Sequence, residues 1–226
     1  MPRPLRVLIT FLVGSALFVG VPLVAWGVGD ARGFLAEPAR AGYVALVLAL
    51  NLLAAWRIPE IGGSPRQPAA TVRRQHSAVV LLQVLSIALV VVGPYCDRRA
   101  IAVLGGAPIV RYLGFLLYAT GFLVMHLAEA RLGPQFSVEV AIQPGHTLVT
   151  DGLYRHLRHP RYLGIVVFSA GLALVFRSWI SLAAVAAVLL VLLWRMHDEE
   201  ALMRREFGAA WEAYCRRTWR MVPYLY

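Results

Sequence analysis

The sequence contains little charge and no lysine. Its 226 residues include 22 basic side chains, all of them arginine, and 12 acidic ones, so charged residues make up only 15% and hydrophobic residues 59%. A soluble domain usually carries about 25% charged residues. This composition excludes an ordinary soluble domain, and it is far too apolar for a disordered chain. It is typical of an integral membrane protein.

Several signatures of cofactor and metal sites are also missing. The two cysteines, Cys96 and Cys215, have no closely spaced cysteine or histidine partner, which argues against a disulfide framework or a zinc site. The chain lacks a glycine-rich dinucleotide fingerprint, a phosphate-binding P-loop and a GxSxG nucleophile elbow. It also lacks an aromatic-rich basic module, so we expect no nucleic-acid partner. We attribute the net charge of +10 to membrane topology and to attraction by anionic membrane lipids.

The apolar residues are concentrated in six blocks close to the length of a membrane helix, about 20 residues. The blocks are 7–28, 41–56, 77–95, 112–130, 162–176 and 178–194. The first could be a signal peptide, but its apolar stretch exceeds the usual length of about 7–15 residues and no clear cleavage site follows it. We therefore predict an all-α polytopic membrane protein with about six transmembrane helices. The last two are short and form a tight hairpin that turns at Arg177 and Ser178.

The arginines predict the orientation of these helices. With the N-terminus in the cytoplasm, 16 arginines fall inside and 6 outside, and the opposite topology inverts the ratio. The outside set is Arg32, Arg40, Arg98, Arg99, Arg111 and Arg177. The positive-inside rule therefore predicts that both termini are cytoplasmic. We expect a multi-pass protein of the inner or cell membrane.

We predict one domain over residues 1–226, with 1–130 as membrane scaffold and 131–226 as the region that binds ligands. Residues 57–76 are rich in proline, glycine and arginine and look like a linker. The stretches 131–161 and 195–226 flank the short hairpin on the same side of the membrane. We therefore expect these two stretches to meet in space.

The first of these stretches ends in a basic cluster where the fifth membrane helix should begin. Pro160 suits the first turn of that helix, because its missing N–H is not needed there. The basic or titratable residues around it are Arg155, His156, Arg158, His159 and Arg161. Two interpretations remain open at this point: an interfacial belt anchored by Tyr154 and Tyr162, or a ligand site.

The second stretch continues the sixth membrane helix beyond the membrane. Arg195 and Glu199 lie four residues apart, so they share a helix face where the helix leaves the bilayer. This pair is a functional hypothesis by default, and the alternative is a snorkelling arginine beside a solvated acidic run. We also predict an ion pair between Glu200 and Arg204. Gly208 should break the helix.

His126 and Glu129, near the end of the fourth block, lie three residues apart and could be two metal ligands. No third and fourth ligand with suitable spacing is evident in the sequence. We therefore predict a polar contact between helices at these residues and no metal site.

Taken together, the two stretches resemble the isoprenylcysteine carboxyl methyltransferase family, which is related to the membrane phospholipid methyltransferases. The resemblance spans about 135–223. The matching pieces are HTLVTDGLYRHLRHPRYLG at 146–164, the short hairpin, Arg195 with Glu199 and Glu200, and FGAAWEAYCRR at 207–217. The chain departs from the family at Leu153, where many relatives have proline, and in having fewer spans than the eukaryotic enzymes.

The resemblance implies a membrane methyltransferase that uses S-adenosylmethionine. It implies cofactor contacts at His146, Thr147, Leu148, Val149, Tyr154, His159, Pro160, Arg161, Tyr162 and Glu199. It also implies that Arg195 faces the carboxylate of a lipidic or small hydrophobic acceptor, so that Arg195 and Glu199 form the catalytic pair. Carboxyl O-methylation of an isoprenylcysteine-like substrate is then the leading reaction. N-methylation of a phospholipid amine and S-methylation of a small thiol are variants of it.

Two functions of other classes remain as alternatives. A membrane reductase using NADPH would employ the basic cluster between Arg155 and Arg161 as a clamp for the 2′-phosphate. Sterol reductases share a distantly similar helical scaffold. A non-catalytic membrane partner protein would use neither Arg195 nor Glu199 for ligand binding.

Overall fold

The chain folds into a helical bundle. The computed structural model describes residues 3–57, 70–71, 75–106, 108–136, 141–142 and 147–224. Within these residues the α-helices are α1 (Arg3–Ser15), α2 (Val21–Trp26), α3 (Ala31–Leu35), α4 (Pro38–Arg57), α5 (Gln75–Arg99), α6 (Ile109–Leu132), α7 (Pro160–Val175), α8 (Trp179–Phe207) and α9 (Ala209–Cys215). A π-helical turn, Ala16–Gly20, joins α1 to α2.

Only short elements interrupt this helical architecture. Single 3₁₀ turns occur at Val28–Asp30, Gly133–Gln135 and Gly152–Arg155. The two-residue strands β1 (Ala70–Thr71) and β2 (Ala141–Ile142) pair antiparallel, with Ala70 opposite Ile142. The predicted all-α class is therefore confirmed.

Five helical segments are long and apolar enough to cross a membrane. They are Arg3–Trp26, Pro38–Trp56, Gln75–Arg99, Ile109–Leu132 and Trp179–Phe207. Helix α7 is apolar but has only 16 residues. The all-helical multi-pass architecture is confirmed, and five long helices are roughly consistent with the predicted count of about six. Helix α7 is the short arm of the predicted hairpin. Helix α8 continues to Phe207 without interruption because good helix formers and no proline or glycine follow Trp194.

One end of the bundle contains the N-terminus, the start of α5 and the two stretches that the sequence predicts to bind ligands. The guanidinium of Arg3 lies 5.6 Å from the ring centroid of Trp56, at the end of α4. Gln75, at the start of α5, donates to the carboxylate of Asp198 on α8 at 2.5 Å. We call this end the site end, since the candidate site described below lies there.

The opposite end is held by a buried ion cluster around Asp97, whose side chain is 1% exposed. Arg111 donates from Nη1 and Nη2 to the two carboxylate oxygens at 2.7 and 2.8 Å, and Arg40 donates to Oδ2 at 3.2 Å. Arg177 lies 3.5 Å from Oδ1. This Asp97 cluster therefore ties together α4, α5, α6 and the turn between α7 and α8.

Helices α6 and α7 run antiparallel in very close contact along a seam of glycines. The seam consists of Gly114, Gly121, Gly164 and Gly171. A Cβ at Gly171 would lie 2.2 Å from the backbone nitrogen of Tyr118, and one at Gly121 would lie 2.2 Å from that of Phe168. Small residues let membrane helices approach this closely. The seam fixes the position of α7, which begins at the candidate site.

Candidate active site

Helix α7 enters the site through a tight sequence of turns. Gly152 adopts φ +57°, a conformation that glycine adopts without steric cost, and opens the 3₁₀ turn Gly152–Arg155. His159 precedes the helix, and its carbonyl accepts from the backbone N–H groups of Tyr162 and Leu163 at 3.1 and 3.2 Å. Pro160 occupies the first helical turn, as predicted.

Helix α8 ends where the sequence predicts. Gly208 has φ +49° and separates α8 from α9, and Arg204 donates to Glu212 across the break at 2.5 Å. The predicted pairing of Glu200 with Arg204 is wrong, because Glu200 faces the interior and pairs with other cations. The break turns α9 back so that Trp211 and Tyr214 are buried against the site end.

After α9 the chain lies alongside the turn that leads into α7. Trp219 donates its N–H to the carbonyl of His156 at 3.0 Å and accepts from the N–H of Arg158 at 2.8 Å. His159 donates to the carbonyl of Arg220 at 2.9 Å. We call residues 218–221 the C-terminal strap.

The carboxylate of Glu200 joins three segments at this point. Its side chain is 6% exposed. It accepts from Arg158 Nε at 3.0 Å, lies 3.2 Å from His159 Nε2, and accepts from Arg220 Nη2 at 2.8 Å and Nε at 3.0 Å. The bonds from Arg158 and Arg220 are strong because both partners are charged. The Glu200 clasp therefore fixes both the turn before α7 and the C-terminal strap to α8.

Arg195 and Glu199 share a face of α8, as predicted, and a phenol connects them. Arg195, which is 3% exposed, donates from Nε to the hydroxyl oxygen of Tyr162 at 2.8 Å. That hydroxyl donates to Glu199 Oε2 at 2.6 Å. The Tyr162 ring is stacked parallel to the His159 ring, with centroids 5.4 Å apart. The spacing on α8 predicted the pair but not the bridge, since Tyr162 comes from another helix.

A cleft opens between α7, α8, α9 and the 147–149 segment. It is lined by nine of the residues predicted to bind ligands: Thr147, Leu148, Val149, Tyr154, His159, Arg161, Tyr162, Arg195 and Glu199. Pro160 is buried at the start of α7 and shapes the site through the backbone rather than as a lining residue. His146 lies outside the described residues.

Other residues complete the wall of the cleft and were not predicted as ligand contacts. They are Leu132, Gln135, Phe136, Arg158, Leu202, Met203, Trp211 and Tyr214. Gln135 receives a hydrogen bond from the backbone N–H of Thr147 at 2.5 Å and so positions that segment. A signal was available in the sequence, because large or apolar residues recur there at helical spacing and so form a face that needs a partner: Met203, Phe207, Trp211, Tyr214 and Thr218.

Trp211 contributes a buried polar atom to this lining that points to a ligand. The residue is 4% exposed, and its indole Nε1 has no hydrogen-bond acceptor among the described residues. A buried donor without an acceptor costs about 1–3 kcal/mol. An acceptor atom on a bound molecule would remove that cost.

Two tyrosines of the cleft remain neutral donors at physiological pH. Burial raises the pKa of Tyr154 well above its ordinary value, and the nearby Glu199 carboxylate raises it further. Burial also raises the pKa of Tyr214, whose hydroxyl donates to the carbonyl of Tyr154 at 2.8 Å. This bond fastens α9 to the 3₁₀ turn that carries Tyr154.

The basic cluster before α7 is largely neutralised by carboxylates. Arg161 donates to Glu129 at 2.8 Å, and Arg158 belongs to the Glu200 clasp, whereas Arg155 is exposed. Glu129 is therefore a partner of Arg161. The Nδ1 atom of His126 lies 3.0 Å from the carbonyl oxygen of Phe122, and the His126 ring stacks on the Phe122 ring. These two residues make separate polar contacts instead of converging as metal ligands.

Comparison with known proteins supports the resemblance drawn from the sequence. The model of the isoprenylcysteine carboxyl methyltransferase (ICMT) family matches residues 112–205, from α6 into α8. This range contains the glycine seam, the start of α7 and the Arg195–Tyr162–Glu199 chain. Over this range the chain is similar to the family.

Curated relatives agree with the family match. A probable protein-S-isoprenylcysteine O-methyltransferase of Oryza sativa subsp. indica is 28% identical over 123 residues, which cover 51% of this chain and 62% of the relative. A protein-S-isoprenylcysteine O-methyltransferase of Schizosaccharomyces pombe is 31% identical over 118 residues, covering 49% of this chain and 48% of that protein. The chain thus spans about half to three fifths of the length of these relatives.

Proposed function

We propose that this chain is a member of the isoprenylcysteine carboxyl methyltransferase family and a membrane methyltransferase that uses S-adenosylmethionine to methylate the carboxylate of an isoprenylcysteine-like acceptor. The observation that carries the proposal is the Arg195–Tyr162–Glu199 chain in the wall of the cleft. It places a buried cation beside a carboxylate within one ligand site. The names of the relatives support the acceptor class.

The residues of the cleft fit the cofactor chemically. Aromatic faces suit a cationic sulfonium, and Tyr154, Phe136 and Trp211 provide such faces. The unsatisfied indole N–H of Trp211 suits an acceptor atom of a polar ligand. Glu199 suits a ligand amino or hydroxyl group, because an ionised carboxylate only accepts hydrogen bonds. When bound, S-adenosylmethionine supplies an electrophilic methyl group on a positively charged sulfur.

Arg195 is the residue we assign to the acceptor. A guanidinium can hold a carboxylate through two parallel hydrogen bonds. Burial at 3% exposure keeps the charge in a medium of low dielectric constant, where such an interaction is stronger than in water. The bond from its Nε to Tyr162 fixes the plane of the guanidinium and thereby the direction of the remaining donors.

The chain needs no general base for this reaction. An acceptor carboxylate is ionised at neutral pH, since its reference pKa is about 3.3–3.7. The contribution of the residues is then to hold the reacting groups in line and to exclude water. Helix α9 contributes Trp211 and Tyr214 to the wall of the cleft and serves that second purpose.

We also propose that the site end faces the cytoplasm, where the cofactor is made available. Most arginines that the positive-inside rule assigns to the cytoplasm belong to segments at this end. Arg40, Arg98, Arg111 and Arg177, from the outside set, belong to the opposite end. A lipidic acceptor would then enter from the bilayer and the cofactor from the aqueous side.

Calorimetry on purified protein in detergent tests the cofactor. We expect saturable binding of S-adenosylmethionine and none of NADPH. Binding of NADPH alone would favour the reductase class. The pairing of Arg158 and Arg161 with carboxylates argues against that class, since a phosphate clamp needs available cations. Binding of neither ligand by folded protein would favour the non-catalytic class.

Methyl transfer to an N-acylated S-prenyl cysteine tests the assigned acceptor residue. We expect Arg195→Gln to lower kcat/KM by about 100-fold or more, as loss of one preorganised donor to a reacting anion does elsewhere. Arg205→Gln is the matched control, because Arg205 is exposed on the same helix. Equal activity of both variants would contradict the role of Arg195. The methyltransferase proposal itself would still be tested by the binding of S-adenosylmethionine.

The pH dependence of the rate separates the acceptor chemistries. A carboxylate acceptor predicts a rate that is flat above about pH 6, because the acceptor has already lost its proton. An amine or thiol acceptor must lose a proton, so its rate would keep rising toward higher pH. Such a rise would redirect the proposal to phospholipid N-methylation or thiol S-methylation.

A further inference from the structure

We infer that Tyr162 is a positioning residue that couples the two ligands, so that an acceptor carboxylate at Arg195 strengthens the hold of Glu199 on the cofactor. This inference rests on the proposed function and goes beyond it, since it assigns a regulatory link within the site. The link is the continuous hydrogen-bond chain from Arg195 through the Tyr162 hydroxyl to Glu199.

The position of the Tyr162 oxygen is fixed from several sides. The residue is 6% exposed, and its ring lies parallel to that of His159 at an interplanar angle of 6°. His159 is in turn held by Glu200 at 3.2 Å. The glycine seam holds the helix itself, through Gly164, against α6. The hydroxyl therefore has one arrangement in which it accepts from Arg195 and donates to Glu199.

The sign of the coupling follows from the direction of the two hydrogen bonds, since Arg195 donates to Tyr162 and Tyr162 donates to Glu199. A carboxylate bound by Arg195 offsets part of its positive charge, so the Arg195 Nε–H becomes a weaker donor to the phenol. The phenol in turn becomes a weaker donor to Glu199, since consecutive hydrogen bonds polarise one another. Glu199 then keeps more negative charge for the cofactor groups that donate to it. The two ligands therefore favour each other's binding.

Thermodynamic linkage makes the effect reciprocal and measurable. If the acceptor raises cofactor affinity by a given factor, the cofactor raises acceptor affinity by the same factor. Couplings between sites commonly amount to about 5–150-fold. Because this one acts through a single phenol, we expect a value near the lower end.

The experiment measures the Kd of S-adenosylhomocysteine by calorimetry, with and without a saturating N-acylated S-prenyl cysteine. This cofactor product is uncharged at sulfur, so direct attraction between a sulfonium and the acceptor carboxylate is absent. The methyl ester of the same acceptor is the ligand control, because it fills the same space without the negative charge. Each measurement is made on the wild type and on Tyr162→Phe, which keeps the ring and removes the hydroxyl.

We expect the free acid to tighten binding by about fivefold or more in the wild type and the ester to leave it unchanged. In Tyr162→Phe the ratio should fall to about one, while S-adenosylhomocysteine alone still binds. Tyr154→Phe is the matched control, since its ring lines the same cleft and its hydroxyl bonds neither Arg195 nor Glu199. It should retain the wild-type ratio.

The outcomes separate this inference from the function on which it rests. A coupling ratio that survives in Tyr162→Phe, or is absent from a wild type that binds both ligands, would overturn the inference and leave the methyltransferase proposal intact. Complete loss of S-adenosylhomocysteine binding in Tyr162→Phe would also overturn it, because the phenol would then be needed for the site itself. A wild type that does not bind S-adenosylhomocysteine would remove both proposals.

Discussion

Both ends of the helical bundle bury arginines, but they use them differently. In the Asp97 cluster every nitrogen of Arg111 faces a protein oxygen: Nη1 and Nη2 bond Asp97, Nη1 also bonds the carbonyl of Val175 at 2.6 Å, and Nε lies 3.8 Å from Glu37. At the site end Arg195 lines a cleft and reaches its carboxylate neighbour through the Tyr162 hydroxyl. A bridging hydroxyl keeps the charges of Arg195 and Glu199 apart within one site.

This difference distinguishes structural from ligand-binding charge inside a membrane protein. A charge at membrane depth is costly and is by default a sign of function. The Asp97 cluster reduces that cost with direct ion pairs that join four segments of the chain, so its role is structural. The Arg195–Tyr162–Glu199 hydrogen-bond chain places opposite charges in the wall of a cleft, which is the arrangement expected of the ligand site that we propose.

Neutralising Asp97 should produce the largest loss of stability. Asp97→Asn leaves Arg40 and Arg111 buried around a neutral side chain, and such broken pairs cost about 3–5 kcal/mol. The measurement is the free energy of unfolding in detergent, alongside methyl transfer per folded molecule, which should stay near the wild-type value because the site is at the other end.

Asp30→Asn is the matched control for this comparison. Asp30 pairs with Arg98 at the same end, but that pair is half exposed. Asp30 also accepts from the N–H of Gly33, and asparagine caps helices as well as aspartate does. We expect its effect on unfolding to be at most about 1 kcal/mol. Equal losses in the two variants would contradict the structural role assigned to the Asp97 cluster.

The glycine seam should give an intermediate loss that also reaches the site. In Gly171→Ala the new methyl group would lie 2.7 Å from the carbonyl oxygen of Gly114, so α6 and α7 must separate. Overpacking of this kind costs about 1–3 kcal/mol. Because α7 carries His159 and Tyr162 into the cleft, we also expect weaker binding of S-adenosylhomocysteine in calorimetry.

The control for the seam is Gly20→Ala, since nothing lies within 4 Å of a Cβ built at Gly20. Alanine is favoured over glycine within a helix by about 0.5–1 kcal/mol, so this variant should be neutral or slightly more stable. If Gly171→Ala behaved like Gly20→Ala, close packing would not be what positions α7.

Local pattern and block length predicted the elements of this fold and part of its site. The apolar blocks, the helix start at Pro160 and the break at Gly208 each follow from the properties of a few adjacent residues. The pairing of Arg195 with Glu199 on one face of α8 follows from helical periodicity. The glycines of α6 and α7 also recur at a spacing of seven, from Gly114 to Gly121 and from Gly164 to Gly171, so the seam had a readable signal.

The contacts that connect distant segments could not be predicted in this way. Helical spacing assigned Glu200 to Arg204, whereas its partners come from the turn before α7 and from the C-terminal strap. In the sequence, Arg40, Arg111 and Arg177 served only to predict the topology. Their shared partner, Asp97, lies on a different helix and could not be assigned to them from local spacing. Such contacts depend on tertiary packing, which a single sequence does not encode in any local pattern.

The smallest effect on stability should come from the edge of the Glu200 clasp. Arg220 holds Glu200 with two nitrogens, but its own side chain is 32% exposed. Arg220→Lys keeps the positive charge but loses the planar guanidinium, and a single ammonium nitrogen cannot replace a contact made by two nitrogens. A pair this exposed contributes about 0–1 kcal/mol, so the thermal midpoint should barely move.

The same substitution should nevertheless weaken cofactor binding. The C-terminal strap pairs with the backbone of Arg158 and His159, and both residues line the cleft. Loss of one bond worth about 0.5–1.5 kcal/mol corresponds to a rise of about 2- to 10-fold in the Kd of S-adenosylhomocysteine. Arg216→Lys is the control, because Arg216 is exposed and lies four residues earlier in the sequence. Equal Kd values for the two variants would mean that the strap does not position the cleft, and that the Glu200 clasp, like the Asp97 cluster, is a purely structural use of buried charge.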